Sequence, residues 1–164
     1  MSLEAQMAIY AAYHQDARNK ATHFIGVPAI ALALLIALAW LRLGDISAAM
    51  VLAAALALYY LTLDLALGAA MALVLAVLVW AAERIVAMGS VAAWLAFGVL
   101  FAGGWMLQLL GHLYEGRRPA LVDNLFQIFV APIFLCAEVF FALGYKPALH
   151  AAVQERAAQM RAGT

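Results

Sequence analysis

Five long apolar stretches, at residues 24–41, 46–63, 65–82, 88–110 and 121–143, restrict this chain more than any other feature. Each is about the 17–25 residues that a helix needs to cross a hydrocarbon core of roughly 30 Å. In lipid, every backbone polar group must be satisfied within the protein, which leaves helices or a closed barrel. Ala and Leu dominate the stretches and no period-two alternation runs through them, so helices follow. Composition agrees: 69% of the 164 residues are hydrophobic and 11% are charged, against roughly 45–50% and 25% in ordinary soluble domains.

The expected fold is therefore all-α, a polytopic membrane helix bundle of about five transmembrane helices with an N-terminal interfacial helix. It forms a single membrane-embedded domain over residues 1–164: an interfacial segment at 1–23, the bundle at 24–143, and a polar tail at 144–164. That tail reads as an exposed helix or a frayed end. Pro28 falls near the start of the first span, where a missing N–H is tolerated. Asp64 and Gly68 mark a tight turn between the second and third spans, and Pro132 is a candidate kink in the fifth. The polar segment ahead of the first span is not a secretory signal, so that span is expected to be retained.

A formal net charge of zero gives no footprint for nucleic acid, and no Gly-rich phosphate loop is present. The single Cys136 excludes an intrachain disulfide. Polar chemistry gathers instead at residues 105–124. On a helix, Trp105, Gln108, His112 and Glu115 fall within one narrow face, after which Arg117, Arg118 and Pro119 end the helix in a basic turn. His14 and His23 are nine residues apart and would face opposite ways on one unbroken helix. They converge only if the chain breaks between them, at residues 15–18, with Asn19 capping the restart.

Parity adds an independent constraint. With five crossings, the N-terminal segment, the Asp64 turn and the loop after Glu115 share one side, so His14, His23 and His112 can meet. His150 and the tail fall on the other side. Three imidazoles suit Fe(II) or Zn(II), and a nearby carboxylate such as Glu115 would complete a mixed shell. The same histidines could instead form a hydrogen-bond and proton network in a metal-independent lipid-binding or transport protein, and zinc would suit a lipid hydrolase. Arg117 and Arg118 are either headgroup anchors or a clamp for a substrate carboxylate. Glu138, inside the fifth span, needs a partner or a function. Tyr10, Tyr13 and Trp105 are packing residues or the lining of an acyl-chain pocket.

Tyr13-His14, Asn19, His23 and Pro28 open a longer pattern, which resumes at Trp105, Gln108, Gly111-His112 and Glu115 to Leu121. It continues through Asp123-Asn124-Leu125, Gln127, Ala131-Pro132, Glu138 and Leu143-Gly144. This pattern resembles the Mpo1-like proteins, long grouped as a domain of unknown function. The resemblance covers nearly the whole chain, while the middle spans match only in being apolar. It implies a membrane-embedded, Fe(II)-dependent oxygenase that uses O2 to remove one carbon from 2-hydroxy fatty acids in lipid α-oxidation. It implies metal ligation by His14, His23 and His112. On that basis Glu115 is a fourth ligand or a hydrogen-bonded neighbour, and Arg117 or Arg118 meets the substrate carboxylate. Asn19, Gln108, Asp123 and Asn124 are then expected to orient ligands and water. The expected setting is membrane lipid: the inner membrane of a bacterium, or the endoplasmic reticulum of a eukaryote. The sequence leaves oligomeric state open.

Overall fold

The computed structural model describes residues 2–116 and 126–162, and over them the chain is all-α apart from one two-residue hairpin. The helices are α1 (Leu3–Ala12), α2 (Ala17–Ala39), α3 (Ala48–Leu63), α4 (Leu65–Ala87), α5 (Ser90–Glu115), α6 (Gln127–Ala142) and α7 (Pro147–Ala162). Between α2 and α3, β1 (Arg42–Leu43) pairs antiparallel with β2 (Ile46–Ser47), turning at Gly44 with φ +62°. Arg117, Arg118, Asp123 and Asn124 lie outside the described residues.

All five expected apolar stretches contribute a helix, but their lengths differ. Helices α2, α4 and α5, of 23, 23 and 26 residues, are long and apolar enough to cross a membrane. Helices α3 and α6 have 16 residues each, about 24 Å at 1.5 Å per residue. The first span begins earlier than its apolar run, because Asp16 caps it: the Asp16 carboxylate accepts from the Arg18 backbone N–H at 2.8 Å. Asn19, expected to be the cap, is instead inside the first turn. Pro28 consequently sits in the helix interior, where its ring nitrogen leaves the Phe24 carbonyl without its helical donor.

Contacts divide the chain into two compact units. One comprises Ile25–Leu107. Here Asp64 ends α3 and caps α4, its carboxylate accepting from Leu67 N–H at 3.0 Å. Gly68 then lets the two helices touch, since a Cβ there would strike the backbone of Tyr60 and Leu61. Gly104 does the same for α2 and α5, opposite Ile30 and the Gly26 carbonyl. This is the small-residue packing that lets helices approach closely where hydrophobic exclusion from water gives no drive. The buried cluster is small to match: Leu35, Ile36, Ala39, Ala49, Ala82 and Ala93. Large apolar side chains such as Val51, Leu58, Leu73, Val77 and Val99 point outward.

The other unit joins residues up to Phe24 with those from Gln108 onward. Helix α1 packs against α6 and α7, burying Met7, Ala8, Tyr10 and Ala11 with Phe134, Val153 and Ala157. The tail is thus a packed helix. Parity placed it away from the N-terminal segment, and the structure corrects this: Arg156 pairs with Glu4 at 2.8 Å, and Arg161 reaches Glu115. The chain turns after α6 through Gly144 and Lys146, both at positive φ, and α7 then packs along α1.

Candidate metal centre

His14 stands in the break between α1 and α2, His23 on the second turn of α2, and His112 near the end of α5. All three are buried. Each offers one ring nitrogen to a common point, and these atoms lie within 4.8 Å of one another. Ring centroids are 4.6 Å apart for His14 and His23, and 5.0 Å for each with His112. A break produces the convergence, as the nine-residue spacing required, but it falls at residues 13–16 rather than 15–18, because α2 already starts at Ala17.

The hydrogen bonds define which nitrogens are available. His14 Nδ1 donates to the Tyr10 carbonyl at 2.7 Å, and His23 Nδ1 donates to the Asn19 carbonyl at 2.9 Å. A carbonyl can only accept, so both protons sit on Nδ1 and each neutral ring presents a bare Nε2 lone pair. Those two Nε2 atoms face one another at 3.2 Å. Two acceptors cannot bond each other. Protonating one would restore a bond, but burial and the neighbouring His23 hold the His14 pKa well below its ordinary value. A metal cation satisfies both lone pairs, and a histidine whose second nitrogen is tied to a backbone carbonyl is the usual ligand arrangement. His112 adds a third ring, with its Nδ1 buried and unpartnered. The donor set fits a borderline divalent metal such as Fe(II) or Zn(II).

Among the described residues, the cluster consists of histidines alone. Glu115, three residues beyond His112, commits both carboxylate oxygens elsewhere. Its Oε2 accepts from Gln15 N–H at 3.0 Å, Asp16 N–H at 2.8 Å and Asn19 Nδ2 at 3.2 Å, while Oε1 accepts from Arg161 at 3.0 Å. An anion against the open N–H groups preceding α2 is favoured by the helix dipole. The carboxylate thereby ties the end of α5 to the connection that carries His14.

Asn19 is fully buried. Its amide donates to Glu115 and to the Tyr13 carbonyl at 3.3 Å, leaving Oδ1 unpartnered. Gln108, one turn before His112, is buried with Nε2 unpartnered. Tyr10 stacks on His14 with ring centroids 3.9 Å apart, making it a wall of the cluster. His150 stays outside the cluster and stacks on Phe141.

Four features escaped the sequence reading. Lys20 is the partner of Glu138, at 2.8 Å. Gln127 is buried with both amide atoms unpartnered. Arg161 belongs to the clamp. Gly111 has no room for a side chain, because its Cβ would meet Asn19, Thr22 and His23. Nothing in the local sequence pairs Lys20 with Glu138, which lies 118 residues away. No local signal points to Arg161.

Fold and site together define an apolar, all-helical protein with a buried three-histidine centre suited to a metal ion. The chain belongs to the Mpo1-like family, whose model, described as "2-hydroxy-palmitic acid dioxygenase Mpo1-like", matches residues 1–143. It is similar to "2-hydroxy-palmitic acid dioxygenase MPO1" of Saccharomyces cerevisiae, with 34% identity over 159 residues, covering 94% of this chain and 88% of the yeast protein. No solved structure matches.

Proposed function

We propose that this protein is a membrane-embedded Fe(II) dioxygenase that cleaves 2-hydroxy fatty acids between C1 and C2, leaving a chain one carbon shorter, as in lipid α-oxidation. The observation that carries the reading is the pair of bare Nε2 atoms of His14 and His23, facing one another beside His112. The family and the yeast relative's name support the substrate class. His14, His23 and His112 hold the iron, which supplies the one-electron chemistry that O2 needs to react with a closed-shell substrate.

The chain's own groups do the rest. Glu115 and Asn19 hold the α1–α2 connection and the His23 ring in place. Gln108 offers an unpaired amide N–H from the turn before His112, suited to a carboxylate or hydroxyl oxygen of the substrate. Arg117 and Arg118 neutralise the substrate carboxylate, and Asp123 and Asn124 orient it or water. The acyl tail lies in the bilayer while the polar head reaches the centre at its edge.

The test is metal analysis of detergent-purified protein prepared anaerobically, beside the His112→Ala variant. An assay for O2-dependent shortening of a 2-hydroxy fatty acid accompanies it. Near-stoichiometric iron, lost together with turnover in the variant, is expected. Zinc without oxygen consumption, or a folded metal-free protein that binds lipid, overturns the proposal.

A further inference from the structure

Glu115 is almost completely buried, with 2% of its side chain exposed. A carboxylate in that position is costly unless a cation answers it. Among the described residues that cation is Arg161, whose guanidinium bonds Oε1 at 3.0 Å and the Ala12 carbonyl at 3.2 Å. Arg161 comes from the last turn of α7, beyond the residues that the family model matches. Its helix is anchored independently, by Val153 and Ala157 buried in the unit and by the Arg156–Glu4 ion pair. The guanidinium therefore bridges the end of α1, at Ala12, and the end of α5, at Glu115. Those ends flank His14 on one side and His112 on the other.

On the metal reading above, we infer that Arg161 is a positioning residue for the three-histidine centre: it neutralises Glu115, so that the carboxylate can fasten the connection carrying His14. The line of contacts is continuous. Arg161 bonds one oxygen of Glu115, and the other oxygen holds Gln15 N–H, Asp16 N–H and the Asn19 amide. Asn19 in turn presents its carbonyl to His23 Nδ1. Without the guanidinium the buried charge draws water or a proton. A protonated carboxyl is a poorer acceptor for three donors. His14 and His23 then lose their common frame while α7 stays docked through its apolar face.

The test uses the full chain in detergent, with Arg161→Met, Arg161→Lys, Glu115→Gln and the Arg161→Met/Glu115→Gln double variant. Co(II) is titrated into metal-free protein and followed by its absorption spectrum. Hydrogen exchange is read at the Gln15 and Asp16 amides and within α7. Arg161→Met is expected to weaken Co(II) binding about 10-fold, within the range for groups that orient ligands. It should also accelerate exchange at Gln15 and Asp16 and leave α7 protected. Arg161→Lys should restore part of both effects, and the Arg161→Met effect should vanish in the Glu115→Gln background. Unchanged Co(II) affinity and unchanged exchange in a folded Arg161→Met protein overturn the inference. So does an Arg161→Met effect that is undiminished when Glu115 is already Gln, or one accompanied by loss of protection throughout α7. A parent protein that binds no Co(II) sinks the metal reading and the positioning role with it. Faster exchange at Gln15 and Asp16 in Arg161→Met would then still report the clamp itself.

Discussion

Replacing Gly111 with Ala separates the site from the rest of α5. A methyl at Gly111 would overlap Thr22 Oγ1 and Asn19 Oδ1 and stand 3.1 Å from His23 Nδ1. Thr22 Oγ1 and His23 Nδ1 both donate to the Asn19 backbone carbonyl, at 2.8 and 2.9 Å, and the Asn19 side-chain amide is held by Glu115 at 3.2 Å, so each contacted group strains or gives up a bond if it moves. Overpacking of this kind costs about 1–3 kcal/mol. Ala is better than Gly in a helix interior by about 1 kcal/mol, and the net loss of stability is about 0–2 kcal/mol. The larger effect falls on the site, because the methyl displaces the nitrogen whose bond orients the His23 ring. Metal affinity should drop about 10–100-fold. Gly103 on the same helix is the control, since a Cβ there meets nothing within 4 Å. Gly103→Ala should keep parental affinity and gain up to about 1 kcal/mol. Co(II) titration and thermal denaturation of the metal-free proteins in detergent measure both quantities. Parental Co(II) affinity in Gly111→Ala would refute the reasoning.

Two further outcomes follow from other parts of the fold. Asp64→Ala removes the carboxylate that caps α4 at Leu67 and should cost about 1 kcal/mol in thermal denaturation, whereas Asp64→Asn should cost markedly less. Lys20→Met strands the mostly buried Glu138 carboxylate, paired at 2.8 Å. The single variant should therefore lose more stability than Lys20→Met/Glu138→Leu, with a coupling of about 1–3 kcal/mol in a double-mutant cycle. Additive effects would mean that the pair contributes nothing.

Helix content and the meeting of His14 with His23 were legible in the sequence because both depend on nearby residues. An apolar run of some twenty residues has only helix or barrel open to it in lipid. Two histidines nine apart need a break; the polar run at residues 15–18 signalled it, and the structure places it at residues 13–16, with α2 starting at Ala17. The cap was misassigned for an equally local reason. Asn19 and Asp16 are both good caps, and the carboxylate nearer the break took the role. Glu138 signalled the need for a partner by its charge alone, but the identity of that partner did not follow from its neighbours.

The sequence by itself determined the helices and their apolar character, the need for a break between His14 and His23, and the residue types fit to bind a metal. Tertiary structure alone decided that Arg161 answers Glu115 across 46 residues and Lys20 answers Glu138 across 118. It also decided that Gly111 must stay bare beside Asn19, Thr22 and His23. Helix formation is written in periods of a few residues. The choice of partner for a buried charge is made by which faces pack together, and parity counting, which treats each helix as a full crossing, put the α7 end of the clamp on the wrong side.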